Sequence, residues 1–283
     1  MPEWQSIVSF ARQHRRAGLR LAGVAFLCAV IPAQLMPAPL PNGVAIEDMT
    51  WVDVRNAIGA GYRTVIIPTG GLEQNGPHMI IGKHDYIVRE AANRIAKTVG
   101  HILVAPVVPF VPEGNYDPPT GHMQYPGTIG LPEPVFANVL EGIARSLKVA
   151  GFTTICFIGD HGQSQPAQAA IAKKLSEEWS KDGVRVAQID AYYDDRAQVA
   201  KLLKQGLTLE QIGQHASIID TSEMMSVAPD GVDLSRYRSM TFGMAPNGAT
   251  ADPRSANAKL GAELLEIRVA AAAAQIKALQ ATQ

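Results

Sequence analysis

The sequence predicts an α/β fold with a central, mostly parallel sheet that is flanked by helices on both faces. Two observations indicate this fold. Short runs of apolar and β-branched residues recur along the chain, and segments with apolar residues at helical spacing lie between them. This alternation is typical of parallel sheets, whose strands are buried on both faces and connected by helices. A chain of 283 residues with 47% apolar residues is long enough for one large domain with a substantial core.

Each predicted element rests on a local signal. Thr50 is a suitable N-cap for the first helix, and Gly151 is the residue type that most often follows a helix C-terminus. A run rich in proline and glycine at 112–126 is too long for a simple connection, so we expect a functional loop there. The predicted helices span 51–58, 86–99, 136–150, 167–181 and 251–278, and the predicted strands span 64–68, 101–108, 153–158 and 184–189.

The start of the chain differs in composition from the rest. An arginine-rich segment precedes the apolar stretch from Leu21 to Ile31, and prolines and small residues follow it. This order is typical of a secretory signal peptide. We therefore expect a signal peptide at 1–33, a Pro-rich spacer at 34–45, a folded domain at 46–283, and a periplasmic or secreted protein without a stable membrane anchor after signal removal. A retained anchor is the alternative, although the apolar stretch is short for a bilayer span, and Arg15-Arg16 loosely resembles a twin-arginine signal.

Charge and cysteine content exclude several classes of protein. Removal of 1–33 takes away four arginines and one glutamate, which changes the formal net charge from −1 to −4. An acidic protein gives no support for nucleic-acid binding, which requires a basic face. Cys28 lies in the predicted signal peptide and Cys156 in a predicted buried strand, so a disulfide framework and a cysteine-ligated metal site are both excluded.

Two polar clusters come directly after predicted strands, where α/β proteins place their sites. One follows the strand at 64–68, and the other follows the strand at 153–158. If the two strands are neighbours in the sheet, Glu73 and His84 from the first cluster converge with His161 from the second. Three protein ligands with an open position are the arrangement of a catalytic zinc or similar divalent ion.

Structural roles are the alternative for each of these residues. Glu73 could cap the turn that follows it, and His84 could cap the helix that starts at Asp85. Asp85 itself is interpreted as a helix N-cap. Asp160 could be a ligand, a carboxylate that orients His161, or a loop residue that accepts hydrogen bonds from backbone amides.

Three further histidines are open to either interpretation. His78 and His122 lie in loops rich in glycine and proline, where they could transfer protons, orient a substrate or be structural. His215 belongs to a third polar group with Asp220 and Ser222, for which helix capping is an equal alternative. The sequence has no nucleophile elbow, phosphate loop or dinucleotide fingerprint, which leaves little support for a serine hydrolase, kinase or dehydrogenase.

The ordered motifs of this chain resemble those of the creatinine amidohydrolase (creatininase) family. The segment from Pro68 to His78 is similar to the family's opening motif, P-x-G-S-x-E-Q-H-G-P-H, and three more matches follow in the same order. They lie at 125–129, 158–162 and 215–222, so the resemblance covers roughly 46–270. It implies a three-layer α/β fold, a zinc or manganese centre with one or two ions per chain, assembly into homo-oligomers, and hydrolysis of an amide C–N bond in a small, often cyclic, molecule.

The chain departs from the family motifs at positions that matter for the metal. Asn75 stands where the family has a histidine, His84 stands where it has a bridging aspartate, and Gln163 is also a replacement. A neutral amide is a poorer zinc ligand than imidazole, and a histidine cannot bridge two ions as a carboxylate does. We therefore expect one divalent ion held by Glu73, His84 and His161, with Asp160 or Asp220 as the next ligand.

The predicted reaction is metal-assisted hydrolysis of a small-molecule substrate. A bound ion lowers the pKa of its water from about 15.7 to about 7. His122, His78 and Asp220, in that order, are candidates for protonating the leaving nitrogen. Asn75, Tyr116 and Gln163 are candidate substrate contacts. Two alternatives stay open: a lactone or sugar-ring hydrolase with the same centre, and a secreted binding protein on a degenerate enzyme scaffold.

Overall fold

The structure of the protein, a computed structural model, describes residues 43–237 and 247–281. The predicted signal peptide, Cys28 and nearly all of the predicted spacer lie outside the described residues. Within those two ranges, none of the helices combines the length and apolar character that a membrane crossing requires. Export, signal removal and homo-oligomer formation therefore stay predictions.

Four parallel strands form the sheet in the order β2-β1-β3-β4. Their bounds are β1 (Thr64–Thr69), β2 (Ile102–Val104), β3 (Thr154–Gly159) and β4 (Arg185–Gln188). The central strands β1 and β3 are buried along their whole length. They pair in register from Thr64 opposite Thr154 to Thr69 opposite Gly159. Because the two strands end side by side, the loops that leave them begin side by side as well.

Helices cover both faces of this sheet, as the sequence predicts. Among the described residues they are α1 (Trp51–Gly59), α2 (Lys83–Val99), α3 (Glu133–Ala150), α4 (Gln165–Glu178), α5 (Arg196–Lys204), α6 (Leu209–Ile212), α7 (Ile218–Val227) and α8 (Ala258–Ala281). The predicted cap of α1 is confirmed, since Thr50 and Asp53 form a reciprocal capping box. Gly151 ends α3 with a φ of 108°, a left-handed conformation that glycine adopts without strain.

The core lies in two layers, because successive side chains of a strand point to opposite faces. Ile66 of β1 packs in the layer that α2 and α8 cover. Val65 and Ile67 pack in the other layer, which α1, α3 and α4 cover. A smaller third cluster joins α5, α7 and α8. The predicted α/β architecture with a mostly parallel sheet is therefore confirmed.

The start of α2 differs from its predicted position. The helix begins at Lys83 rather than Tyr86, with Gly82 as its N-cap residue. The predicted N-cap role of Asp85 is wrong, because Asp85 lies within the first turn and its Oδ1 accepts a hydrogen bond from the backbone N–H of Gly71 at 3.1 Å. Asp85 thus ties α2 to the loop that leaves β1.

Two other boundaries differ because of proline. Strand β2 ends at Val104 rather than Val108, and Pro106, which has no N–H to donate to a neighbouring strand, interrupts the predicted run. The last helix begins at Ala258 rather than Ala251, because a short 3-10 turn at Pro253–Ser255 precedes it. Neither difference changes the order of the elements.

Candidate metal centre

Glu73 lies at the centre of the site, on the loop that leaves β1. Its side chain is 1% exposed, and its Oε2 lies 2.8 Å from Nε2 of His161 and 3.0 Å from Nε2 of His122. His161 follows β3, so the pairing of β1 with β3 brings it to Glu73 as the sequence predicts. His122 comes from a 3-10 turn, Gly121–Gln124, in the long loop after β2. That loop therefore supplies a side chain to the site.

Glu113, from the start of the same loop, completes the group and was not predicted from the sequence. Its side chain is fully buried, with Oε2 3.1 Å from Nε2 of His161. Oε1 has no hydrogen-bond partner among the described residues, and the contact recorded for Oε2 is the one with His161. Burying a carboxylate oxygen without a donor is costly, and a cation is a partner that satisfies it. Glu73, Glu113, His122 and His161 each offer a ligand atom, and these four atoms all lie within 4.8 Å of one another.

The chemistry of this four-residue group fits a divalent metal ion. Two carboxylates and two imidazoles are the ligand types that zinc and manganese sites use. Burial by itself lowers the pKa of His161, but the facing carboxylates of Glu73 and Glu113 outweigh this effect and raise it to about 10. The two carboxylates thus create a strongly negative electrostatic potential beside His161, and such a potential attracts cations, including metal ions.

His84 and Asp160, which we predicted as ligands, lie beside this group but are bonded to other residues. Nε2 of His84 lies 2.6 Å from Oε1 of Glu73, and its Nδ1 lies 2.7 Å from Oδ2 of Asp160. Oδ1 of Asp160 accepts from the hydroxyl of Tyr192 at 2.9 Å and lies 2.6 Å from the guanidinium of Arg268. With both oxygens engaged, Asp160 holds the ring of His84 against Glu73, rather than the ring of His161 that we expected it to orient.

A cavity of about 470 Å³ opens beside the four-residue group. Three residues for which the sequence predicted substrate contact or catalysis lie in its wall: His122, Gln163 and Asp220. Tyr193, Asp194 and Gln214 add further polar side chains to the wall. The cavity is therefore polar and has the size of a small-molecule site.

Lys83, which is buried, and Asp220, which is partly buried, form an ion pair in the cavity wall. Nζ of Lys83 lies 2.9 Å from Oδ2 of Asp220 and 3.8 Å from Oε1 of Glu73, and the lysine side chain is 1% exposed. Burial alone lowers the pKa of Lys83, but the two carboxylates more than compensate and the pKa is raised, so the ammonium keeps its charge. Oδ2 of Asp220 also accepts a hydrogen bond from the backbone N–H of Ala216 at 2.8 Å. This local contact corresponds to the capping alternative that the sequence left open for the group of His215, Asp220 and Ser222.

His215 precedes α7 and also reaches the cavity. Its Nε2 lies 2.9 Å from the peptide oxygen of Gln74, and its Nδ1 lies 3.5 Å from Oε1 of Glu73. Nε2 also lies 3.0 Å from the side-chain amide nitrogen of Gln74, so the backbone and the side chain of Gln74 both hold this edge of the ring. Burial, reinforced by the charge of Lys83, lowers the pKa of His215 to about 4, so the ring is neutral at pH 7.

His78 is not brought to the cavity. Its side chain is buried against α7, where Nε2 lies 3.0 Å from Oγ1 of Thr221 and the ring meets Tyr237 edge-on. Burial lowers the pKa of His78 to about 4. These contacts correspond to the structural alternative that the sequence left open for this histidine.

Asn75 and Tyr116, two predicted substrate contacts, do not line the cavity either. Nδ2 of Asn75 donates to the backbone oxygens of Glu73 at 2.9 Å and Ile80 at 3.2 Å, so the side chain shapes the loop around Glu73. The side chain of Tyr116 is exposed, and its hydroxyl donates to the backbone oxygen of Gly130 at 2.9 Å. Both contacts fix loops rather than face the cavity.

Only a weak signal in the sequence pointed to Glu113. The loop at 112–126 is predicted to be functional because of its length, and Glu113 and Asp117 are its two acidic residues. Nothing in their spacing from Glu73 distinguishes one from the other. His215 had a clearer signal, since it opens one of the motifs that resemble the creatininase family.

Comparison with known proteins gives the same family along most of the chain. The family model of creatinine amidohydrolase matches residues 47–276. The creatinine amidohydrolase of Pseudomonas putida is 24% identical over 202 residues, which cover 70% of this chain and 76% of that protein. The 3-dehydro-scyllo-inosose hydrolase of Thermotoga maritima is 24% identical over 196 residues, which cover 67% of this chain but only 58% of that protein.

Solved structures show the same fold. A crystal structure of creatinine amidohydrolase superimposes with a TM-score of 0.68 at 23% identity and covers 83% of this chain and 97% of its own. A mutant creatininase described as Zn-Zn type has a TM-score of 0.67 at 23% identity, with 84% and 98% covered. A creatininase with manganese has a TM-score of 0.67 at 24% identity, with 83% and 98% covered.

Proposed function

This chain belongs to the creatinine amidohydrolase (creatininase) family, and we propose that it is a metal-dependent hydrolase that cleaves an amide C–N bond of a small, cyclic molecule. The observation that carries the proposal is the buried four-residue group, whose ligand atoms lie within 4.8 Å of one another. The buried carboxylate of Glu113 supports it, because its Oε1 has no hydrogen-bond partner among the described residues and a cation would satisfy it.

One zinc or manganese ion is the cofactor we propose. Glu73, Glu113, His122 and His161 hold it, so Glu113 and His122 take the ligand roles that the sequence gave to His84 and Asp160. When bound, a divalent ion supplies Lewis-acid chemistry, since it polarises a carbonyl and lowers the pKa of water. The zinc and manganese structures of creatininases support both choices of metal.

His215 is the residue that moves protons in this proposal. The imidazole of His215 accepts the proton of the attacking water and returns it to the leaving nitrogen, as general acid–base catalysis requires. The peptide oxygen of Gln74, 2.9 Å from Nε2, keeps the ring in the orientation that this transfer needs. Asp220 holds Lys83 instead of donating a proton, and His78 lies away from the cavity.

Hydrolysis of a polyhydroxylated ring is the second candidate function. Gln163, Tyr193, Asp194 and Gln214 in the cavity wall offer hydrogen bonds of the kind that ring hydroxyls use. One relative is named for the hydrolysis of 3-dehydro-scyllo-inosose, which supports this reading of the wall. Both candidates use the same four-residue group.

A substrate panel tests the proposal and separates the two candidates. The zinc-loaded and manganese-loaded protein is assayed with creatinine and other cyclic amides, with lactones, and with inosose derivatives. We expect turnover in one class, loss of turnover after chelation, and loss in Glu73→Gln but not in Glu210→Gln, which changes an exposed residue of α6. A protein that binds members of the panel without metal and without turnover would instead be the binding protein that the sequence left open.

We also propose that the protein is exported and processed. The arginine-rich start and the apolar stretch from Leu21 to Ile31 support this, together with the matched family region, which begins only at residue 47. Mass spectrometry of the protein from its native host should give an N-terminus between about residues 30 and 45. Intact Met1 on the soluble protein would contradict it.

A further inference from the structure

We propose that the ammonium of Lys83 is the second cation of the cavity and occupies the space in which a second divalent ion would have to bind. This inference rests on the proposed function and deepens it, since it concerns the composition of the same centre. It predicts a centre with one metal ion and one fixed positive charge supplied by the protein.

Lys83 has an unusual position for a lysine. It is the first residue of α2, its side chain is 1% exposed, and it lies in the cavity wall beside Glu73. Among the described residues, its one hydrogen bond goes to Oδ2 of Asp220 at 2.9 Å. An ammonium carries three N–H donors, so two are left for the side of Glu73 and the cavity. Lysine is rarely buried unless it is paired, and here the partner is in place.

Among the described residues, the potential ligands His84, Asp160 and Asp220 beside Lys83 are already bonded within the protein. Both ring nitrogens of His84 are bonded to carboxylates, and both oxygens of Asp160 are engaged, one of them by the guanidinium of Arg268. Oδ2 of Asp220 is held by Lys83 and by the backbone N–H of Ala216. A second ion would have to displace protein donors or cations from each of these groups.

The charge of Lys83 also opposes a second ion. Oε1 of Glu73 is the carboxylate oxygen that faces away from His122 and His161, and Nζ of Lys83 already lies 3.8 Å from it. A divalent ion bound to this oxygen would lie within a few ångströms of the ammonium, and like charges at that distance repel strongly in a buried site.

The position of the ammonium suits an electrostatic role in catalysis. Because Lys83 is held on one side by Asp220, its remaining donors are fixed in the cavity wall rather than free to rotate into solvent. A fixed donor beside the reacting carbonyl stabilises the negative charge that develops on its oxygen during attack by water. The lysine keeps its proton throughout, so no bond to it forms or breaks.

Counting zinc ions in matched variants tests the inference. The full chain is dialysed to equilibrium against Zn²⁺, and bound metal is measured by inductively coupled plasma mass spectrometry. We expect one ion per native chain. Lys83→Ala opens the space and frees the carboxylates of Asp220 and Glu73, so we expect two ions. Lys83→Met fills the space without a charge, so we expect one ion bound at least tenfold more tightly than in the native protein.

The control is Lys97→Met, which removes an exposed lysine from the same helix and should change neither count nor affinity. Two ions in the native chain, or one ion in folded Lys83→Ala, would overturn the inference but leave the metal-dependent hydrolase in place. If Lys83→Ala does not fold, an unchanged or weaker affinity of Lys83→Met overturns it. A native chain that binds no zinc or manganese would refute the proposed function itself.

Discussion

His84 and Asp160 are joined by a buried hydrogen bond of 2.7 Å between Nδ1 and Oδ2. Burial alone raises the pKa of Asp160, but the guanidinium of Arg268 and the imidazole of His84 outweigh it and hold the pKa below its usual range. The carboxylate therefore stays charged and fixes the His84 ring against Glu73. This relationship explains how two polar residues of the predicted site support the four-residue group without belonging to it.

The first prediction distinguishes Asp160, which supports the site, from His161, which is a proposed metal ligand. His161→Ala should strip the metal, because it removes a ligand atom. Asp160→Asn should keep the metal with affinity reduced about 10–100-fold. It should also lower the free energy of unfolding by about 3–5 kcal/mol, because Arg268 is left buried without its anionic partner on that side. Metal analysis and urea unfolding measure the two effects.

The control for Asp160→Asn is Glu178→Gln, which breaks an exposed ion pair with Arg145. Exposed pairs contribute little, so its unfolding should match the native protein. If Asp160→Asn loses the metal as completely as His161→Ala does, Asp160 is itself a ligand and our assignment is wrong.

The second prediction compares His122 and His78, for both of which the sequence left a functional and a structural role open. His122→Ala removes a ligand and should lower metal affinity by more than the roughly 10–100-fold expected when only a supporting residue is lost. His78→Ala should keep the native affinity and cost about 1–3 kcal/mol of stability, because it leaves the buried hydroxyl of Thr221 without its partner. Native metal affinity in His122→Ala would show that the ion binds elsewhere.

The third prediction concerns the close packing of α8, the helix that carries Arg268 to the site. A Cβ at Gly261 would lie 1.7 Å from the backbone oxygen of Ser222, so Gly261→Ala should force α7 and α8 apart and destabilise the protein by about 1–3 kcal/mol. Gly142→Ala is the matched control, since a Cβ there meets nothing within 4 Å and alanine stabilises a helix interior by about 1 kcal/mol. Thermal unfolding of both variants shows whether Gly261→Ala is less stable, and Gly142→Ala more stable, than the native protein. A Gly261→Ala protein as stable as the native one would contradict this packing.

The sequence predicted those parts of the site that depend on neighbouring strands. Glu73 and His161 each come directly after a buried strand, and parallel strands end at the same edge of a sheet. Their convergence, at 2.8 Å, therefore follows from the pairing of β1 with β3. The fold class followed from the same alternation of apolar runs and helical segments.

The rest of the site depends on contacts that no local pattern encodes. His84 supports Glu73 because Asp160 bonds its other ring nitrogen. Asp160 in turn keeps its negative charge because Arg268, on the last helix, pairs with it. Glu113 enters the site through the path of a long loop. The ligand roles of all these residues are still predictions, and metal analysis of variants decides them.

Glu113 is the proposed ligand that neither the strand ends nor the family motifs indicated, so its loss tests the proposed centre most directly. The measurement is the zinc content of Glu113→Gln after dialysis, with Glu133→Gln, an exposed change at the start of α3, as the control. We predict one ion in the native protein and in the control. For Glu113→Gln we predict a folded chain that has lost the ion and the activity, because a neutral amide replaces a buried anionic ligand. A Glu113→Gln protein that keeps one zinc ion with native affinity would contradict the proposed centre.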